Sequence, residues 1–120
     1  MRELKFRVWD KVTMKMFKPQ AISFDINNSV PFAVSVPGKS WEPVEKFELL
    51  QWTGFSDENG IDAYEADLVQ ISSDIYRIIW NETLATYELE KLGSSLRCNI
   101  SAITSGSVIG NVFQNGNLNT

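Results

Sequence analysis

The sequence predicts an all-β protein, mainly strands with one short helix, arranged as a small barrel with an N-terminal β-hairpin region. Apolar and polar residues alternate over several short runs, which is the pattern of half-buried strands. Clusters of Asn, Ser, Gly and Pro separate these runs at short intervals. Many short strands joined by frequent turns favour a barrel or a sandwich.

The hairpin is predicted at the N-terminus. Residues 4–8 alternate apolar with charged side chains, and a second alternating run follows Asp10 and Lys11. This second run places three apolar residues on one face: Val12, Met14 and Met16. Two alternating runs around a short polar break indicate two antiparallel strands.

Six further strands are predicted from β-branched and aromatic residues between turn signals, over residues 21–26, 31–36, 67–71, 75–80, 86–90 and 108–113. The helix candidate is 43–51, where apolar residues fall three apart behind a proline, and it is long enough for one or two turns. The segment 31–43, centred on Pro37 and Gly38, is expected to form an exposed loop.

The length of 120 residues suits one domain, 1–120, with a subdomain boundary near 37–46. Cys98 is the single cysteine, so no internal disulfide can form and a cytoplasmic location is expected. No apolar run approaches the roughly 20 residues that span a bilayer, so no membrane partner is expected.

The net charge of −4 argues against bulk nucleic-acid binding, which needs a basic face. The charge is uneven, however. Residues 1–20 carry six basic residues against two acidic ones, and the remaining hundred carry five against thirteen. A basic hairpin on an acidic body either presents a dipolar surface to a partner or pairs with acidic groups within the fold or between subunits.

The segment 49–69 has the highest density of turn and strand signals in the sequence. Residues 57–60 read Asp-Glu-Asn-Gly, which predicts a tight turn because Asn-Gly readily supplies positive φ values. Gly54 can supply another turn. Residues 64–69 place Glu65 and Asp67 at the entry of an apolar strand, where carboxylates can accept hydrogen bonds from backbone N–H groups.

Three motifs in this order resemble the YopX family of phage and prophage proteins. They are KFRVWDK at 5–11 followed by Lys15-Met16, LQWTGF at 50–55 with YEADLV at 64–69, and IGNVF at 109–113. The resemblance implies a phage or prophage origin and a β-rich fold with an SH3-like barrel element, and it assigns no catalytic or binding residue. The family usually has Tyr at Trp52, Asn-Pro-Glu-Leu at 115–118, and Gly at Ala66, where a positive φ would be disfavoured for alanine.

Few residues in the sequence could support enzyme catalysis. The chain has no histidine, which removes Ser-His-Asp, Cys-His and histidine-based zinc sites and leaves Cys98 as a buried small hydrophobe. The carboxylates that could hold a cation or act as acid and base are Asp57, Asp62, Glu65 and Asp67. Their spacing does not match a calcium loop, so turn and strand-entry roles are favoured, and no catalytic residue, metal or cofactor is assigned.

Binding is therefore the preferred class. Four tryptophans beside Arg7 and Arg77 could form a stacking platform for single-stranded nucleic acid, although tryptophans in a small β domain are more often core residues. Trp41 differs because it lies in the predicted loop, where exposure would indicate a partner or subunit contact. The candidate binding residues are Arg7, Trp9, Trp41, Trp52, Asp62, Tyr64, Glu65 and Asp67.

Two functions stay open. The first is a non-enzymatic interaction module, expected to form a homo-oligomer, that binds a phage or host protein or a nucleic acid during phage development; it predicts an exposed apolar patch and a paired strand edge. The alternative is a small metal-assisted hydrolase that uses Asp57, Asp62, Glu65 and Asp67. It predicts that these carboxylates converge in a cleft with raised pKa values.

Overall fold

This computed structural model describes residues 3–115. They contain twelve β-strands and two short 3₁₀ helices, joined by turns and loops. The predicted all-β, small-barrel class is confirmed. The chain divides into two compact units, Met1–Gln51 and Trp52–Thr120. No helix in the described part of the chain is long and apolar enough to cross a membrane.

The first unit contains five strands, one 3₁₀ helix at Val44–Lys46 and the start of a sixth strand. The strands are β1 (Phe6–Asp10), β2 (Lys15–Phe17), β3 (Ala21–Phe24), β4 (Pro31–Ser35), β5 (Glu42–Pro43) and β6 (Phe47–Ser56). Strand β1 pairs antiparallel with β2 and with the first half of β6, while β3, β4 and β5 form a separate sheet with β4 in the middle.

The predicted N-terminal hairpin is confirmed, but its second strand starts three residues later than expected. Val12 and Met14 are exposed at 73% and 61% because they lie in the turn that joins β1 to β2. The Asp10 carboxylate accepts hydrogen bonds from the backbone N–H groups of Val12 and Thr13, and Met14 has a φ of 58°. Turn formation by Asp10 therefore overrides the alternating pattern.

The helix predicted over 43–51 is largely wrong. One 3₁₀ turn forms at Val44–Lys46, and β6 begins at Phe47. Phe47 and Leu50 are both buried, and residues three apart in a strand face opposite sides. The three-residue spacing thus reflects a strand that is covered on both faces. The core of this unit consists of Val8, Val34, Val36 and Phe47.

The second unit begins with the end of β6 and contains six more strands. These are β7 (Asp62–Tyr64), β8 (Asp67–Ile71), β9 (Asp74–Asn81), β10 (Thr86–Lys91), β11 (Arg97–Asn99) and β12 (Ser107–Asn111). Strands β8 to β12 form a five-stranded sheet in the order β11-β10-β9-β8-β12, with all neighbours antiparallel. The predicted strands at 67–71, 75–80, 86–90 and 108–113 are confirmed within two residues at each end.

A second 3₁₀ helix, Ile100–Ser105, was not predicted from the sequence. The side chain of Asn99 caps it by accepting a hydrogen bond from the N–H of Ser101 at 2.8 Å. Ile100 and Ile103 of this helix are buried in the core of the unit. The other buried members of that core are Ala63, Val69, Ile78 and Leu89.

Ala66 has a φ of 71°, in the left-handed region where alanine is disfavoured. Two backbone hydrogen bonds hold it there: its N–H donates to the carbonyl of Ile78, and its carbonyl accepts from the N–H of Val112, both at 3.0 Å. The positive φ anticipated at this position is therefore present, and the surrounding strands determine it.

Candidate functional site

A group of exposed apolar residues in the first unit lies at the end of the β3–β4 hairpin. It consists of four residues, which we call the apolar tip: Phe24, Ile26, Val30 and Phe32, exposed at 50%, 94%, 52% and 64%. Within the segment 24–32 the single charged residue is Asp25. Large apolar side chains clustered on one short exposed segment are typical of a contact surface.

The turn that carries the apolar tip is held by its own polar residues. The N–H of Asp25 donates to the carbonyl of Val30, and the N–H of Ser29 donates to the carbonyl of Asp25, both at 2.8 Å. The Asp25 carboxylate accepts from the N–H of Asn27 at 2.8 Å, and the Asn28 side chain accepts from the N–H of Val30 at 3.3 Å. Because the turn has these internal bonds, it presents Ile26 to solvent without needing to bury it.

Sequence reasoning missed the apolar tip as a site. The predicted strands 21–26 and 31–36 leave residues 27–30 as the break and include Ile26 in a strand, whereas the structure places Ile26 in the turn, where small polar residues are usual. That departure, flanked by two phenylalanines, was the available signal.

The four tryptophans have different environments. Trp9 is 4% exposed and belongs to the interior, whereas Trp41 is 54% exposed in the segment between β4 and β5, as expected for the loop. Trp52 is half-buried, and its Nε1 donates to the carbonyl of Phe55 at 3.1 Å. Trp80 packs edge-on against Tyr87, with ring centroids 4.8 Å apart. Trp41 is thus the most exposed of the four tryptophans. Arg7, the candidate binding residue on β1, is half-buried.

Asp57 holds the turn that follows β6. It is 6% exposed, and its carboxylate accepts backbone N–H groups from Asn59 at 2.8 Å, Ile61 at 2.9 Å and Val108 at 2.8 Å. Burial tends to raise the pKa of Asp57, but these hydrogen bonds outweigh it and place the pKa below its ordinary value. This environment favours a permanently charged structural anchor over a proton-transfer group.

The other candidate acids also bond within the fold. Asp67 is 1% exposed and accepts the N–H of Tyr64 at 2.8 Å, and Asp62 accepts the Ser56 hydroxyl at 3.2 Å. Glu65 is half-buried in the turn between β7 and β8. Over residues 3–115, no group of three or more acidic or cysteine side chains is close enough to hold a metal ion.

Two basic residues of the N-terminal region, Lys5 and Lys11, pair with acidic neighbours. Lys11 Nζ lies 3.5 Å from Glu48 Oε1. Asp10 lies 3.7 Å from Lys46 Nζ, which is also 2.9 Å from Glu42 Oε2. Burial tends to raise the pKa of Asp10, but hydrogen bonds from Thr13 and Val12 and the charge of Lys46 hold that pKa below its ordinary value. Part of the uneven charge is thus neutralised within the unit.

Cys98 is half-buried on β11 and packs against the core of the second unit. Burial, followed by the nearby charge of Glu88, raises the pKa of its thiol above the ordinary value. A raised pKa keeps the thiol protonated near neutral pH, which makes it a weak nucleophile.

Comparisons with known proteins agree with this architecture. The chain matches the family described as YopX protein over residues 5–118. Among solved structures, it is similar to the crystal structure of protein EF1440 from Enterococcus faecalis, with a TM-score of 0.72, 22% sequence identity and coverage of 100% of both chains. At that identity, the likeness shows a common fold. No curated protein matches the sequence.

Proposed function

Since this chain belongs to the YopX protein family, we propose that it is a non-enzymatic interaction module that self-associates through its apolar tip. The observation that carries the proposal is the exposure of Phe24, Ile26, Val30 and Phe32 on one hairpin. Burying them against a second copy would remove apolar area from water at about 25 cal/mol per Å². Aromatic residues are also enriched at the energetic centres of protein interfaces.

Charge favours a protein partner over a nucleic acid. The tip segment 24–32 has no basic residue, and its single charge, on Asp25, is negative. The lysines at positions 11 and 46 have acidic neighbours within 4 Å. Phosphate binding would require free basic groups on one face, so this region supports protein contact better.

The cellular setting belongs to the same proposal. We place the module in the cytoplasm of a bacterial host, where it acts during phage development. The family match and the single cysteine, which suits a reducing compartment, support this setting.

The test is the oligomeric state of the purified protein. Sedimentation velocity over a hundredfold range of concentration should give a mass that rises with concentration for the natural sequence. Ile26→Asp combined with Phe32→Asp should shift the protein to monomer, because a charge buried at the interface without a partner is unfavourable. The matched control is Val12→Asp, which changes an equally exposed apolar residue in another turn of the same unit.

Two results would contradict self-association through the tip. One is a monomer at every concentration for the natural sequence. The other is an oligomer that persists in the double variant. Near-UV circular dichroism should be the same for all three proteins, which shows that a change in mass is not caused by unfolding.

A further inference from the structure

A groove of about 480 Å³ lies in the first unit and is lined by residues 3–6, residues 18–22 and Phe24. Its volume falls in the range of about 300–1,000 Å³ that is typical of ligand sites. Both walls are formed by consecutive residues. Of the lining residues, Ala21, Ile22 and Phe24 belong to β3, and the neighbouring side chains of Ala21 and Ile22 point to opposite faces, which indicates that the groove lies along the edge of β3.

The edge of β3 along this groove is available for pairing. Strand β3 pairs with β4 on one side and is the outermost strand of its sheet in the described chain. No backbone hydrogen bond between described residues joins segment 18–24 to segment 3–6. An outermost strand presents unpaired N–H and C=O groups, and an extended peptide can bind such an edge as an added strand. Pro19 has no N–H, which confines this pairing to Ala21–Phe24.

The chemistry of the walls selects the side chains of such a peptide. Leu4 and Phe24 are exposed at 68% and 50% and provide apolar contacts. Lys18 is exposed and makes no ion pair with a described residue, whereas Lys5 Nζ lies 3.6 Å from Glu3 Oε2. The groove therefore offers apolar surface together with one uncompensated positive charge.

We propose that this groove binds an extended protein segment in which apolar and acidic residues alternate, and that the segment pairs with the edge of β3. Alternation suits an added strand, because its apolar side chains can contact Leu4 and Phe24 while acidic ones reach Lys18. This inference goes beyond self-association, because the groove runs along the edge of β3 and shares only Phe24 with the apolar tip.

The probe is a fluorescein-labelled hexapeptide of alternating valine and glutamate with blocked ends, measured by fluorescence anisotropy with the full chain. We expect saturable binding that weakens as salt is added. A peptide of alternating valine and lysine should bind at least about tenfold more weakly, because like charges repel. A third peptide, with every backbone amide methylated, should not bind because neither of its edges has N–H donors.

Charge reversal locates the site. Lys18→Glu should weaken binding of the valine–glutamate peptide by about tenfold and improve binding of the valine–lysine peptide. Lys15→Glu is the matched control, since Lys15 is exposed nearby but does not line the groove. Both variants should keep the melting temperature of the natural sequence.

Three outcomes would overturn the proposal. These are no binding of the valine–glutamate peptide to folded protein at millimolar concentration, equal binding of the methylated peptide, or equal weakening by Lys18→Glu and Lys15→Glu. The Ile26→Asp, Phe32→Asp variant separates the two proposals, because it should lose self-association and retain peptide binding.

Discussion

Ala66 is the residue at which local preference and the fold conflict. Its φ of 71° costs alanine roughly 1–2 kcal/mol relative to the right-handed region, yet its N–H is bonded to Ile78 of β9 and its carbonyl to Val112, which follows β12. The conflict could be anticipated from the motif, because glycine is usual at this position of the family. Its resolution could not be predicted, since the partners Ile78 and Val112 are 12 and 46 residues away in sequence.

The substitution Ala66→Gly should stabilise the protein by about 0.5–1 kcal/mol, because relief of the strained φ exceeds the extra entropy of glycine in the unfolded chain. The change in stability is measured by thermal unfolding monitored by circular dichroism. Ala102→Gly is the control, because Ala102 is also half-buried in the second unit but has no positive φ, and it should destabilise. A lower melting temperature for Ala66→Gly would contradict this account.

Strand β10 carries the main charged contacts of the second unit. The Glu90 carboxylate accepts from Arg77 Nε at 3.0 Å and Nη2 at 2.6 Å, and from Arg97 Nε at 3.2 Å. Arg77 lies on β9 and Arg97 on β11, so Glu90 joins three neighbouring strands. The hydrogen bond from Arg77, opposed in part by burial, lowers the pKa of Glu90 below its ordinary value.

This contact predicts a specific loss of stability in acid. Because the folded pKa of Glu90 is below its unfolded value, its contribution is complete above the unfolded pKa of about 4.3 and is lost as pH falls through the folded pKa. Glu90→Gln should lower the free energy of unfolding by about 1–2 kcal/mol at pH 7, a figure kept small because both arginines are partly exposed to solvent. In strong acid the same substitution should have little effect.

Urea unfolding at several pH values between neutral and strongly acidic measures this difference. Glu82→Gln, in the exposed turn between β9 and β10, is the control and should follow the natural sequence at every pH. A constant difference between Glu90→Gln and the natural sequence across the whole range would show that charge is not the cause.

Elements were predictable where their signals are local. The strands at 67–71 and 86–90 were located closely because their apolar residues and flanking turns lie within a few positions of each other. β6 was mistaken in part for a helix because both of its faces are buried, which depends on what packs against it. The apolar tip was missed for a related reason: exposure of a phenylalanine is decided by the surrounding fold, so its residue type predicts the opposite.

At the scale of the whole molecule, Asp57 and Asp67 accept backbone N–H groups within the fold, and a binding role for Asp62, Glu65 and Asp67 stays a prediction. Local turn chemistry predicted the turn at 57–60, whereas the hydrogen bonds that Asn59, Ile61 and Val108 donate to the Asp57 carboxylate were not predicted. The hydrolase alternative requires these acids to lie close together, because a divalent ion needs several oxygen ligands at one place.

We expect magnesium, manganese or calcium at 1 mM, roughly a thousandfold above a micromolar dissociation constant, to leave the melting temperature unchanged. An ion that bound only the folded state would stabilise it by about 4 kcal/mol at that excess. Differential scanning calorimetry measures the effect, with sodium chloride of equal ionic strength as the control. A rise in melting temperature that occurs with only one of the divalent ions, and that Asp62→Ala abolishes, would favour the hydrolase hypothesis.

The bond between Asp57 and Val108 also constrains the order of folding. It joins positions 51 residues apart, so a growing chain cannot make it until Val108 has been synthesised and has left the ribosome. Until then the buried carboxylate lacks one of its three donors. This contact therefore forms only after β12 has been synthesised, and chains truncated before β12 should be less stable.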